Sequence, residues 1–277
     1  MRASDPEVVD AVWAAVEGLL PVRARSHPLG CHRPRVSDKL CFRGLLIRLV
    51  TGSSWVDIEA ILEWRVSDTT LRARRDEWIA AGVFDRLRSE AVAAFDRIVG
   101  LDLSEVAVDG SLHKAPCGGA GTVKSPVDRG KLGWKWSVAA ERHGVPVGWA
   151  IDGANRNDIR LLEPTLAAIN SAGLLEDIET LHLDRGYDYP AVRRQLKALG
   201  IADACIQRRT PNTGPRRPLT LGLRWIVEST NSWLSNYGQL RRNTDRKPDC
   251  RHAAMCLATT ILITAKLIDW KNRWNPT

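Results

Sequence analysis

The sequence predicts an α/β protein: a mixed five-stranded sheet with flanking helices, preceded by a small all-helical segment. Three observations predict it. Helical periodicity fills the first hundred residues. From Leu101 the pattern turns to short alternating apolar runs, broken by glycine turns and by longer amphipathic stretches. Three acids, Asp109, Asp184 and Glu228, stand at the ends of two such runs and within the last amphipathic stretch.

The helical part begins to declare its boundaries at Ser37-Asp38. They cap a helix carrying Leu40, Leu45, Leu46, Leu49 and Val50 on one side, which ends at Thr51-Gly52. Ser54-Trp55-Val56-Asp57 has capping-box spacing, with Asp in place of the usual Glu. Ser67-Asp68 opens a third helix through Ile79, which Gly82 stops. Two short helices in tandem, the second with Arg72, Arg74 and Arg75 expected exposed beside buried Leu71, Trp78 and Ile79, read as a helix-turn-helix. The alternative is a helical bundle that touches no DNA. Residues 1–100 are taken as this domain and 101–277 as a second.

In the second part, strands are expected at residues 104–110, 135–141 and 145–152, the last two joined by the turn Arg142-His143-Gly144. A helix over 158–172, a strand at 180–184, a helix over 191–199 and a strand at 202–207 follow. The order βββαβαβα is that of the RNase H-like fold, whose first and fourth strands are neighbours. That adjacency would bring Asp109 and Asp184 together. In the final helix Leu223, Ile226, Val227, Thr230, Trp233, Leu234 and Tyr237 form one apolar stripe, and Arg224, Glu228, Asn231 and Ser235 fall opposite. The stripe is expected on the sheet, with the polar face free.

Hard carboxylate oxygens at one sheet rim are what Mg²⁺ prefers. Two such ions about 4 Å apart activate a hydroxyl nucleophile and stabilise the leaving oxygen of a phosphodiester. Other acids compete. Asp188, ahead of Pro190, and Asp158, after Asn157, read as helix caps, Asp102 precedes the first strand, Asp152 ends another, and Asp128 lies in the Gly-rich link. His113 and His182 are the histidines nearest the acids, and both read as structural, since metal chemistry of this kind needs no histidine base. An aspartyl-phosphate enzyme is disfavoured, because Asp109-Gly110-Ser111 lacks a second aspartate two residues on.

Charge agrees with a polyanionic partner: net +8 and a pI near 9.4 over 277 residues. Basic residues crowd around Glu228 in Arg208, Arg209, Arg216, Arg217, Arg224, Arg241, Arg242, Arg246, Lys247 and Arg251. Cysteines at 31, 41, 117, 205, 250 and 256 contain no Cys-x-x-Cys pair. His27, Cys31, His32 and Cys41 fit no structural zinc spacing, so reduced cysteines are expected. No signal peptide is expected at the acidic and polar N-terminus. The apolar stretch 253–268, interrupted by Thr259, Thr260, Thr264 and Lys266, is expected not to span a bilayer, and the protein to be cytoplasmic.

The residues around the acids resemble a known family. Val108-Asp109-Gly110-Ser111, Pro126-Val127-Asp128-Arg129-Gly130-Lys131-Leu132-Gly133, Leu183-Asp184-Arg185-Gly186-Tyr187-Asp188 and Arg224-Trp225-Ile226-Val227-Glu228, with Trp233, Tyr237, Leu240 and Arg241 behind, look like the DDE transposases of bacterial insertion sequences, in the insertion-sequence-four/five superfamily. The likeness runs from about residue 40 to about 242. The family signature is Tyr, two residues, Arg, three residues, Glu, six residues, Lys. Arg224 and Glu228 match it, whereas Leu221 and Ser235 stand where Tyr and Lys are expected.

The resemblance implies that Asp109, Asp184 and Glu228 are catalytic ligands of two Mg²⁺ ions, with Mn²⁺ tolerated. It implies terminal inverted repeats and target DNA as partners, and a homodimer at paired ends. Arg72, Arg74, Arg75, Arg129, Lys131, Arg208, Arg209, Arg216, Arg217, Arg224, Arg241 and Arg242 become the expected DNA contacts, in a bacterial, nucleoid-associated protein. The alternatives are another RNase H-like metallonuclease and a DNA-binding derivative without catalysis.

Overall fold

The structure is a computed structural model that describes residues 3–22, 35–201, 203–206 and 224–274. Expectations resting on His27, Cys31, His32, Arg208, Arg209, Arg216, Arg217 and Leu221 lie outside the described residues. In chain order come α1 (Pro6–Leu19), α2 (Asp38–Thr51), α3 (Trp55–Ile61), α4 (Asp68–Ala80), α5 (Val83–Ile98), β1 (Glu105–Lys114), β2 (Val123–Lys124), β3 (Leu132–Ala140), β4 (Pro146–Gly153), α6 (Asp158–Ser171), β5 (Thr180–Leu183), α7 (Pro190–Ala198), β6 (Asp203–Ile206), α8 (Arg224–Ser235), α9 (Gly238–Arg241) and α10 (Pro248–Trp274). They form two compact units, residues 1–94 with 236–277, and residues 95–235. A boundary was expected only near residue 100; here the segment after α8 packs with the N-terminal helices.

In the first unit the helix starts follow local chemistry. Asp5 caps α1, and Ser54 and Asp57 exchange the two hydrogen bonds of a capping box at α3. Ser67 accepts from the Thr70 N–H at the start of α4. Gly52 ends α2 at φ 72°, and a Cβ on it would lie 2.8 Å from the Gly238 carbonyl carbon at the start of α9.

The centre of this unit is polar. Asp245 Oδ1 accepts from Arg48 at 3.3 Å and Arg75 at 2.8 Å, and its Oδ2 accepts from Gln239 at 2.7 Å. Arg48, Arg72 and Arg75 all lie over the Trp55 ring.

That network corrects the sequence expectation for α4. Arg74 is only 4% exposed, bonded to Asp38, Glu77 and the Val36 carbonyl, and Arg75 is turned into the Asp245 cluster. Inward-facing acids recruit both guanidinia, so Arg72 alone of the three keeps an exposed head, and Asp68 pairs it.

α10 is longer than the apolar stretch 253–268 read from the sequence. It is 27 residues long, and an 18-residue window of mean hydropathy 1.5 is long and apolar enough to cross a membrane. Its threonines do not break it, because Thr260 donates to the Cys256 carbonyl one turn back. Within the protein 61% of that window is buried, the behaviour of a core helix.

The second unit is built on one sheet. β3 pairs antiparallel with β1 on one side and with β2 and β4 on the other, while β1, β5 and β6 run parallel. Leaving aside the two-residue β2, which was not expected, the order is β4-β3-β1-β5-β6, the RNase H-like topology. Strand alternation sends Val106 and Val108 into the large core with Leu162, Leu166 and Ile169 of α6 and Val192 and Leu196 of α7. Ala107 faces the other way, onto Ile226 and Val227 of α8.

Asp245→Ala would remove the carboxylate that Arg48 and Arg75 share and leave their charges uncompensated there. We expect it to cost about 3–5 kcal/mol in urea denaturation, whereas Asp68→Ala, at the exposed Arg72 pair, should cost under about 1 kcal/mol.

Candidate active site

Asp109 lies on the face of β1 that Ala107 presents to α8, because side chains two apart share a face. In the parallel register Ala107 is opposite His182. Asp109 and Asp184 each stand two residues beyond that pair, at the point where β5 ends. β1 itself continues to Lys114 against β3, with Asp109 opposite Val138. The sequence suggested a strand ending at Gly110, just past Asp109; the structure continues it to Lys114 and places that acid mid-strand, on a rim created by the departure of its neighbour.

Asp184 is fixed by the turn that follows it, where its Oδ1 accepts from the Gly186 N–H at 2.7 Å at the start of a 3-10 turn, Arg185–Tyr187. Glu228 projects from α8 with its side chain 49% exposed, and Arg224 one turn earlier donates to its Oε1 at 3.1 Å. Asn231, one turn later, donates to Asp109 Oδ2 at 3.3 Å and accepts from the Trp136 indole at 2.9 Å. Asn231 thus ties the helix that carries Glu228 to the strand that carries Asp109. It had been placed on the free polar face; it is buried, and the signal for it was an amide one helical turn from the glutamate.

The electrostatics single out Asp109. Burial pushes its carboxyl from 3.8 up to about 6. The Gly110 N–H and the Arg224 charge oppose that rise, and the charges of Asp184 and Asp158 add to it. Burial first, then the charges of Asp158, Asp109 and Asp184, also push the Tyr187 hydroxyl up. Burial and the neighbouring acids outweigh the Arg224 charge at this carboxyl of Asp109, which favours a further positive charge beside it. The oxygen-only donor set of Asp109, Asp184 and Glu228 suits a hard divalent cation.

Two family models match the chain. "Putative transposase of IS4/5 family" covers residues 8–88 and "Transposase DDE domain" covers residues 100–263. The chain belongs to the DDE transposases. It is 33% identical over 147 residues to "Putative transposase for insertion sequence element IS402" of Burkholderia cepacia, covering 51% of this chain and 67% of that one. It is 34% identical over 110 residues to "Insertion element IS402 uncharacterized 16.2 kDa protein" of the same organism, covering 40% of this chain and 74% of the other. Among solved structures it is similar to a pre-cleavage Mos1 transpososome, at 14% identity over 89% of this chain and 82% of that one, with a TM-score of 0.28, too low to bear on the site.

A DDE transposase of insertion sequences cleaves DNA and transfers strands with divalent metal, and DNA is its partner. The remaining residues around the acids take the following places. Asp158 was read as a cap, but Asn157 caps α6. Asp158 reaches over β1, pairs with Lys135 at 2.7 Å, and its carboxylate occupies the space that a Cβ at Gly110 would need. This is the physical reason for glycine after Asp109.

His113 stacks on Trp136 with ring centroids 3.6 Å apart, and burial lowers its pKa to about 3, so it is neutral. His182 pairs with Glu105 at 3.4 Å. Ser235 donates to the Asn231 carbonyl at 2.6 Å and offers no charge where the family expects lysine. Arg129, Lys131, Arg241 and Arg242 are exposed.

Because Asp109 holds its proton longer when folded than when unfolded, metal-free stability should fall as pH rises from about 4 to about 6 and stay lower above that. Asp109→Asn removes the titrating group. In chelator at pH 7 it should melt above wild type, by a gain of about 1–2 kcal/mol, with the gap closing toward pH 4 in thermal scans.

Proposed function

We propose that Asp109, Asp184 and Glu228 are the catalytic carboxylates of this transposase, holding two Mg²⁺ ions, with Mn²⁺ accepted in their place. The observation that carries this reading is the bridge through Asn231, which ties the Glu228 helix to Asp109 on the strand beside Asp184. Bound there, the metal supplies a Lewis acid for the attacking hydroxyl and the leaving oxygen of a phosphodiester.

The chain's own residues do the rest. Asn231 holds Asp109 Oδ2, the Gly186 N–H holds Asp184 Oδ1 and Arg224 holds Glu228 Oε1, so each carboxylate is oriented before metal or DNA arrives. Burial holds the Asp109 carboxyl at about 6, so a cation bound there would compete with its proton, which would pass to solvent.

The proposed DNA contacts are Arg129, Lys131, Arg241 and Arg242, which are exposed, with Arg224 beside Glu228 and Arg72 on α4; Arg208, Arg209, Arg216 and Arg217 complete the basic set. Arg74 and Arg75 are left out, since both are committed to acids inside the helical unit. The partners are the inverted repeats of the element and target DNA, held by a homodimer at paired ends, and the proposed location is the bacterial nucleoid.

Two measurements test this. On labelled DNA carrying the repeats that flank the reading frame, wild type with Mg²⁺ should expose a 3′-hydroxyl and join it to target. Asp109→Ala, Asp184→Ala and Glu228→Ala should each lose both steps, by at least about 10³-fold, while still binding the ends. Cutting by Asp109→Ala would sink the assignment, and cutting of RNA–DNA hybrid without joining would favour a plain nuclease. Second, Arg241→Ala with Arg242→Ala should lower the slope of log K against log salt by about 2, while Arg74→Ala should act through stability instead.

A further inference from the structure

Among the described residues of the helical unit, one group of ligand atoms converges on a single point. His252 and Cys256 lie four residues apart on α10, hence on one face, and Asp85 comes from α5. Among the described residues these three have ligand atoms all within 4.8 Å of one another. His252 Nε2 is 2.7 Å from Asp85 Oδ1, Cys256 Sγ is 3.9 Å from the same oxygen, and the sulfur and ring nitrogen are 3.5 Å apart.

A tetrahedral zinc ion with sulfur at about 2.3 Å and nitrogen and oxygen at about 2.0–2.1 Å sets ligand-to-ligand edges of about 3.3–3.6 Å. The N···S edge already has that length. The other two need shifts of about 0.3–0.6 Å, and the side chain that must move, Asp85, is 62% exposed and free to do so. His252 is 45% exposed and Cys256 is buried. The ion would therefore sit at the surface, with its sulfur ligand inside and a fourth position open to water or a further ligand.

We propose that Asp85, His252 and Cys256 form a zinc-class metal site that clips α5 to α10. It stands apart from the catalytic reading, and it differs in kind: the carboxylate site is built of hard oxygens, and this one has mixed nitrogen, sulfur and oxygen donors that hold zinc or cobalt far better than magnesium. Binding is an exchange in which the Cys256 thiol releases its proton to solvent and the thiolate bonds the ion, while His252 binds as the neutral ring. Burial holds the thiol well above its ordinary range, and the Arg88 charge works against that, so without metal the sulfur keeps its proton. Metal therefore replaces a buried thiol proton, and the clip strengthens as free zinc rises.

The test is titration of the full chain, stripped with chelator and kept reduced without thiols, with Co²⁺ alone. We expect one equivalent to give a thiolate-to-cobalt charge-transfer band, displaced by equimolar Zn²⁺, with one proton released per ion. Zn²⁺ at a hundredfold excess over Kd should raise Tm by about 5 °C. Cys256→Ser should abolish the band. His252→Asn and Asp85→Asn, at exposed positions that leave folding intact, should weaken Co²⁺ binding at least tenfold. Cys31→Ser and Asp109→Ala should keep the band, because a carboxylate site gives no thiolate signal. Absence of the band in wild type, its survival in Cys256→Ser, or its loss in Cys31→Ser would overturn the proposal.

Discussion

The parallel pairing of β1 with β5 is the constraint on which the candidate site depends. It sets Ala107 against His182, and the two-residue period of a strand then carries Asp109 and Asp184 to matching positions on one face. A slip of one residue in either strand would put one acid into the core with Leu162 and Leu166 and leave the other alone. The register is held by that alternation. Val106 and Val108 on one side and Ala107 on the other are fully buried, so a one-residue slip would exchange the faces of all three. Everything near the acids, from the Asn231 bridge to glycine at position 110, is fitted to that placement.

The two units handle charge in opposite ways. In the helical unit Asp245 is surrounded by donors, and arginines that looked available for DNA are consumed in holding loops and helices together. In the sheet unit Asp109 is buried with too few donors, beside like charges. The first arrangement specifies a fold. The second leaves a deficit of positive charge that an ion can satisfy, and it destabilises the empty protein, a common property of sites built for binding.

Much of this was legible in the sequence, and the failures share a cause. Helix starts and ends were readable because capping is local: Ser54 with Asp57, Ser67 with Thr70, and Gly52 after α2 all act within a few residues. Strand order was readable from the succession of elements. What could not be read were contacts between residues far apart in the chain. Nothing near Arg74 or Arg75 announces Asp38 or Asp245, so both looked like solvent-facing bases. Asn231 looked like part of a polar face because Trp136 and Asp109, its partners, are about a hundred residues away. The length of α10 was hidden by its threonines, of which Thr260 turns its hydroxyl back on the Cys256 carbonyl within the helix.

The discontinuous helical unit has a consequence for how the protein is made. Its first 94 residues leave the ribosome early, but α9 and α10, which complete the unit, are synthesised last. The sheet unit between them is contiguous, so it can close as soon as its own residues have emerged. Until then α1, α2 and α4 wait with an apolar surface that α10 will cover, open to chaperones and proteases. A chain cut short after α8 would carry the whole sheet unit and a helical unit without the helices that complete it.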